Sequence, residues 1–287
     1  MKKKKSQKDL VTAIILTYNE EKNVKNCLKS IYKIVDKIIV VDSFSSDKTL
    51  KICKKFKKIK IFQRKFKDQA NQMNWVLKNV KIKTKWILRV DADEYFEKNS
   101  KKNFIKILNE KNNFNGIVLK RKIKFLGKII NYGLTSPHYT LRIWQNGKGF
   151  YPKVIMDEQV FIKGKTFVSN LIIIDENLKG FIIWLKKHID YASREARQYL
   201  FGNQHFKIKD NSKSNKINKL KIYYKFPILI RPLLLFFYSY IYKRGFLSGY
   251  QGFIFYFFQN FVYRMLVDIN IIALKLNVKK KCLKLEF

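Results

Sequence analysis

Acidic residues are scarce in this chain. Only 21 Asp and Glu stand against 61 Lys and Arg among 287 residues, a formal net charge of +40. Such an imbalance ordinarily points to nucleic acid or to an anionic membrane. Arginine is scarce as well: nine of the basic residues are Arg, while Lys, Asn and Ile are abundant throughout. The charge therefore reads as a diffuse bias rather than one basic patch. Nucleic-acid binding is not expected, and an anionic membrane surface is the partner left for it. Each Arg becomes informative, because its planar fork makes bidentate contacts that Lys does not. Cysteine amounts to Cys27, Cys53 and Cys282, an odd number without metal-ligand spacing. That argues against a disulfide framework and fits a reducing compartment. His138, His188 and His205 show no paired ligand spacing either, so packing or surface roles are expected. Early in the chain the apolar run Val11–Leu16 is too short for a signal-peptide core. It reads as a first strand of a protein kept in the cytosol.

What is present is a core and an anomaly. Hydrophobic residues make up 47%, enough to rule out wholesale disorder. The anomaly is Trp86-Ile87-Leu88-Arg89-Val90-Asp91-Ala92-Asp93-Glu94, a short apolar strand running into three carboxylates. Side chains alternate along a strand, so Asp91 and Asp93 leave its end toward the same side. Two carboxylates so placed repel unless a cation lies between them, and hard oxygen ligands suit Mg²⁺ or Mn²⁺. Arg89 shares the face of Asp91, which predicts an ion pair.

The periodicity predicts strands at Val11–Leu16, Lys37–Val41, Lys58–Gln63 and Trp86–Val90, with helices over Glu21–Tyr32, Asp47–Phe56 and Ala70–Val80. Strands alternating with helices call for an α/β, mostly parallel, doubly wound sheet. Ligands of such sheets bind at the carboxyl ends of strands. Those ends are Thr17–Glu20, Asp42–Asp47 and Asp91–Glu94, and the three converge. Asp47 also suits a helix cap. Past residue 115 the pattern shifts to shorter β-like runs at Gly116–Lys120, Leu141–Trp144, Val160–Ile162 and Leu171–Ile174. A helix is expected from Leu178 to Phe201.

After a basic linker the composition changes. Phe226–Tyr242 is apolar apart from Arg231, and Gly245–Tyr263 carries no charge. The second run contains three Gly and several amides and is loaded with Phe and Tyr, which suits a membrane interface better than its centre, with a soluble core or oligomer face and a membrane span as the other readings. The expected organisation is a catalytic domain over 1–205, a linker over 206–225 and a helical, membrane-associated extension over 226–287. Nothing in the pattern specifies an oligomeric state.

Three stretches together resemble the family 2 glycosyltransferases of the GT-A fold: Val11-Thr12-Ala13-Ile14-Ile15-Leu16-Thr17-Tyr18-Asn19-Glu20-Glu21, Val40-Val41-Asp42-Ser43-Phe44-Ser45-Ser46-Asp47-Lys48-Thr49, and Leu88-Arg89-Val90-Asp91-Ala92-Asp93-Glu94. Each alone is a weak motif; the order and spacing of all three are specific. Later stretches resemble a bacterial subgroup that builds surface polysaccharide and lipopolysaccharide: Gln69–Trp75, Leu141–Trp144, Met156-Asp157-Glu158-Gln159, Asp175–Leu178 and Lys187–Ala196. Gln159 stands where that subgroup commonly has His.

The resemblance implies an inverting, metal-assisted transfer of a sugar from a nucleotide diphosphate donor, UDP-linked by default. The acceptor would be lipid-linked, lipopolysaccharide or exopolysaccharide, at the cytoplasmic face of the inner membrane. Asp93 would be the metal ligand, with Asp91 near the ribose or the metal and Glu94 in support. Thr17, Tyr18, Asn19, Glu20 and Asp42 would line the nucleotide pocket, joined by Arg89. Arg142 would hold the diphosphate or an anionic acceptor. Inversion by direct displacement needs one general base and no protein nucleophile. Asp157 and Glu158 are the candidates, with Asp157 favoured; adjacent residues on an extended segment face opposite ways, so only one serves. A nucleotidyltransferase-like enzyme and a non-enzymatic basic membrane or nucleic-acid binder are the competing readings. The last explains the charge but not three acidic strand ends.

Overall fold

The computed structural model describes residues 10–111, 113–152, 159–201 and 222–283, with side chains through Leu276. The described residues divide into two compact units. One holds the chain up to 129, 136–152 and 159–179; the other holds 130–135 and the residues from 180 onward.

The first unit is built on a sheet. Strands β1 (Val11–Thr17), β2 (Lys37–Asp42), β3 (Ile59–Gln63) and β4 (Trp86–Arg89) pair in parallel, in the order β3-β2-β1-β4. Helices α1 (Val24–Ile31), α2 (Thr49–Cys53) and α3 (Gln69–Asn79) link them. The β1 side chains sort by parity. Val11, Ala13 and Ile15 pack in a core with Val24, Cys27, Leu28 and Ile31 of α1 and Cys53 of α2. Ile14 belongs to the opposite core, with Ala70, Met73 and Val76 of α3. Both faces are covered, which is why the strand is apolar without alternation.

The far half of the sheet is mixed. It comprises β5 (Glu94–Phe96), β6 (Gly116–Phe125), β8 (His138–Gln145) and β11 (Thr166–Asp175), with the short β7 (Lys128–Ile130) beside β6. β8 runs antiparallel to β4 and to β6, β6 pairs in parallel with β11, and β11 pairs antiparallel with β5. The parallel, doubly wound expectation thus describes the first four strands. Beyond them one helix links β5 to β6, and the pairs β4–β8, β8–β6 and β11–β5 are antiparallel neighbours, which do not need a crossover. Helix α4 (Lys98–Glu110) is not predicted above: only Ser100, Phe104 and Leu108 of it are buried, a stripe too sparse to register. Two residues each form the hairpin strands β9 (Gly149–Phe150) and β10 (Phe161–Ile162).

In the second unit helix α5 (Phe181–Phe201) packs on the helix Tyr263–Leu283. Ala192 and Ala196, one turn apart, meet Tyr263, Val267 and Ile271, which share the facing stripe. Glu195 between the alanines accepts hydrogen bonds from the Tyr263 hydroxyl, from Arg264 (2.5 Å) and from Tyr224 (3.2 Å). Helix Ile230–Phe237 turns Arg231 inward onto Asp268; these two charged residues are 3% and 0% exposed. The same helix exposes Leu233, Leu234 and Phe237, and Tyr238, Ile241, Tyr242, Phe246, Leu247, Tyr250 and Phe253 follow them to the surface. Gly245–Leu276 is long and apolar enough to cross a membrane by length and composition. Most of the linker expected over 206–225 lies outside the described residues.

Candidate active site

The ends of β1 and β2 are held together by side chains. Thr17 and Asp42 are register partners, and the Thr17 hydroxyl donates to Asp42 Oδ1 at 2.9 Å. Ser45 donates twice, from its amide to Asp42 Oδ2 (2.8 Å) and from its hydroxyl to Oδ1 (2.5 Å). Asp42 is fully buried, and three donors compensate the desolvation of its carboxylate. The loops interlock further out. Asn19 donates from its amide to the Ser45 hydroxyl (2.8 Å) and accepts at Oδ1 from the Ser46 amide (2.8 Å). Asp47 accepts from the amides of Glu21 (3.0 Å) and Thr49 (2.9 Å). Burial opposes its ionisation slightly, but those bonds and one from the Thr49 hydroxyl keep its pKa below the usual value.

The third strand end is the acidic turn, and its carboxylates have parted ways. Asp91 accepts from Arg89 at 3.0 Å, as their shared face predicts, and from Arg142 of β8 at 2.8 Å. Glu94 accepts from Arg142 as well and from the Asp91 amide at 3.0 Å, with Arg121 of β6 at 3.8 Å. Arg121 also reaches Asp175 at the end of β11, at 3.4 Å. Three guanidinium groups and three carboxylates thus form one mostly buried network. Burial pushes the Asp91 pKa up, but the charges of Arg142 and Arg89 outweigh it and hold the carboxyl well below its ordinary value. Glu94 goes the other way: burial raises its pKa, Arg142 opposes the rise, and the Asp91 charge adds to it.

Asp93 is different. It is half-buried, and among the described residues no donor reaches its carboxylate; its backbone carbonyl accepts from the Glu176 amide at 2.9 Å. Glu20, from the loop after β1, feels the Asp93 charge. Burial raises the Glu20 pKa, bonds from Lys179 and Asn23 lower it, and Asp93 raises it again. Lys179 donates to Glu20 Oε1 at 2.5 Å and to the Tyr18 carbonyl at 3.4 Å, and Asn23 donates to Oε2 at 2.8 Å.

This donor set fits a divalent cation of the Mg²⁺ or Mn²⁺ kind through Asp93. No cluster of three or more metal-ligating side chains occurs among the described residues. Asp91, expected as a second ligand or ribose contact, already has two guanidinium groups on it.

The structure brings together Thr17, Asn19, Asp42 and, through the Arg network, Arg89, Asp91, Glu94 and Arg142. Arg89 and Arg142 are 7% and 4% exposed; both donate to Asp91, and Arg142 also to Glu94. Tyr18, between Thr17 and Asn19 in sequence, is 60% exposed. Asp157 and Glu158 lie outside the described residues. Three participants were not singled out above. Arg121 was discoverable, as one of few arginines. Lys179 was hidden among abundant lysines. Tyr151 sits under Arg89, which donates to its hydroxyl at 3.4 Å, and Asn74 of α3 holds the Tyr151 backbone at 2.7 and 3.0 Å. Beyond β3 an open concavity is lined by Arg64, Lys65, Phe66, Lys67 and Asn71, and the Arg64 amide donates to the Asp42 carbonyl.

Comparison with known proteins places this geometry. The family model described as glycosyl transferase family 2 matches residues 12–166. The glycosyltransferase SunS of Bacillus phage SPbeta is 34% identical over 105 residues, covering 36% of this chain and 24% of SunS. An uncharacterized glycosyltransferase of Rickettsia bellii is 33% identical over 88 residues, 31% of this chain and 29% of the relative. Among solved structures, S. aureus TarS 1–349 in complex with UDP-GlcNAc aligns over 95% of this chain and 92% of that one, at 16% identity and a TM-score of 0.45. The aligned stretches span about a quarter to a third of the curated relatives.

Proposed function

The chain belongs to glycosyl transferase family 2, and from that premise we propose an inverting enzyme with a nucleotide diphosphate sugar as donor, UDP-linked by default. Its acceptor is a lipid-linked saccharide, lipopolysaccharide or exopolysaccharide. One observation carries the reading: three strand ends meet at one edge of the sheet, and there the Asp93 carboxylate has no donor among the described residues.

The residues divide the work by their surroundings. Thr17, Asp42 and Ser45 order the turn that receives the nucleoside side of the donor, and Asn19 locks it to the first loop. Asp93 would hold a Mg²⁺ or Mn²⁺, and such an ion would supply positive charge for the leaving diphosphate. Arg89 and Arg142 neutralise Asp91, so the carboxylates of the turn do not sum to a field that would repel the diphosphate. Asp157, or Glu158 in its place, takes the proton of the acceptor hydroxyl as that oxygen bonds to the anomeric carbon. The bond to the diphosphate breaks in the same step, which inverts the centre.

The second unit supports a membrane site of action, peripheral or monotopic on the cytoplasmic face. Exposed aromatic and aliphatic side chains in a row suit a surface that meets lipid, and exposed Lys225, Lys243 and Arg244 flank them.

A thermal-shift screen of nucleotide sugars with Mn²⁺ tests the donor reading, since a ligand of the folded state raises its melting point. A metal-dependent rise with one donor, absent in Asp93→Ala, supports it; no rise with any donor overturns it. For the base, Asp157→Asn is expected to abolish transfer while donor binding survives. Loss with Glu158→Gln alone reverses the assignment.

A further inference from the structure

Two residues in the loops that close this site hold left-handed backbone without being glycine: Asn19, with φ of 51°, and Phe44, with φ of 61°. For Asn19 the conformation is ordinary, because its short polar side chain bonds locally, here to the Ser46 amide. For Phe44 it is not. A bulky aromatic residue is an outlier there, and glycine is the residue the conformation favours. Its neighbours hold it in place: the Ser43 amide donates to the Thr17 carbonyl at 2.9 Å, and Ser45 is pinned to Asp42 on the other side.

The ring that this strained backbone carries is 57% exposed and contacts no other ring of the described residues. Tyr18, from the loop after β1, is 60% exposed and equally without a ring partner. The loops that carry them are joined by the Asn19 to Ser45 bond. A strained backbone and an uncovered apolar ring both work against stability in the free protein, and strain of this kind gathers at ligand sites. A ligand that covers the ring accounts for both.

The place in the fold selects which part of the donor that is. Phe44 lies two residues past the end of β2, whereas Asp93 follows β4. In the order β2-β1-β4 two strand spacings separate them, roughly 10 Å. A diphosphate near Asp93 leaves the nucleoside, not the phosphates, to reach the end of β2. We propose that Phe44 is a stacking platform for the planar base of the donor nucleotide, with Tyr18 as the second exposed ring at that base. This rests on the glycosyltransferase reading and assigns a residue to its nucleotide affinity. Flat stacking is tolerant of base identity, so Phe44 supplies affinity for a base as such.

Calorimetric titration of the full chain with UDP and Mn²⁺ tests this, with GDP, CDP and ADP alongside and inorganic pyrophosphate as the probe lacking a base. Phe44→Gly is expected to weaken nucleotide binding roughly 5- to 150-fold, the loss of one base–aromatic stack. Pyrophosphate binding should not change, and the melting point should hold or rise because glycine relaxes the left-handed backbone. Phe44→Tyr, which keeps a ring, should restore nucleotide binding. Unchanged nucleotide affinity in Phe44→Gly overturns the proposal, as does an equal loss for pyrophosphate, or a loss confined to the acceptor KM. In those cases the donor reading still stands, because the wild type binds. A wild type that binds no nucleotide overturns both.

Discussion

The two units differ in what they leave at the surface. In the first, β1 through β4 hide Val, Ile and Leu on both faces, and the charged groups gather where the strands end. In the second, Arg231 and Asp268 are inside, while Phe237, Tyr242 and Tyr250 are 47%, 71% and 70% exposed. Burial of apolar surface stabilises the first arrangement in water. The second has an apolar interior too, around Val267 and Ile271, but forgoes that gain at its outer surface and adds a buried ion pair whose desolvation roughly cancels its attraction. An outer face so rich in rings suits another neighbour than water. The lesson is that one chain can be read by two rules, and that exposure has to be judged against what lies outside each unit.

The sharpest break in that contrast lies at the site. Asp93→Ala should lower sugar turnover by about a thousandfold, the scale of losing a group that stabilises transition-state charge, with the melting point unchanged. Turnover that survives would reduce the acidic strand end to an ordinary solvated turn.

Next come the buried arginines, where the units should behave alike. Arg142→Met leaves Asp91 and Glu94 without their principal partner; Arg231→Met leaves Asp268 without one. Each should cost about 3–5 kcal/mol, read from the shift of the denaturant midpoint. A negligible loss for Arg231→Met would show that the interior of the second unit admits water.

Outer rings should separate the units again. Replacing Tyr242 and Tyr250 together by Ser should weaken binding to vesicles containing anionic lipid about tenfold or more and leave the melting point alone. Raising the salt should weaken the wild type too, through Lys225, Lys243 and Arg244. If the wild type ignores such vesicles, the outward-facing rings have some other neighbour.

The smallest effect is one of pH. Arg142 and Arg89 overcome the upward push of burial and set the folded-state pKa of Asp91 below its ordinary 3.8. A lowered carboxyl favours the folded state above the unfolded value, and that contribution fades as pH falls through 3.8 and below. Denaturant midpoints at pH 7 and pH 3 should therefore differ less in Asp91→Asn than in the wild type. An equal difference would mean that other carboxylates carry the acid sensitivity.

Legibility in the sequence followed distance along the chain. The strand–helix alternation from Val11 to Arg89 was readable because each element declares itself within a few residues. The acidic ends were readable because they stand out in a basic chain. The Arg89–Asp91 pair was readable too, being two residues apart on one strand face. Helix α4 was missed because its buried stripe is thin, and the mixed half of the sheet because pairing direction depends on links that carry little periodic signal. Lys179 could not be found at all: it lies 159 residues from Glu20, in a chain where Lys is everywhere.

Asp91 and Asp93 mark the division most clearly. By itself the sequence determined that three strand ends carry polar and acidic groups and that those ends share one edge of a sheet. It also determined an aromatic, nearly uncharged segment after residue 226. Which carboxylate is left free was decided only by the tertiary structure. Arg142 arrives from β8, 51 residues beyond Asp91, and takes up both Asp91 and Glu94. Electrostatic interaction depends on separation in space and on the dielectric around each group, and neither is written in the order of the residues.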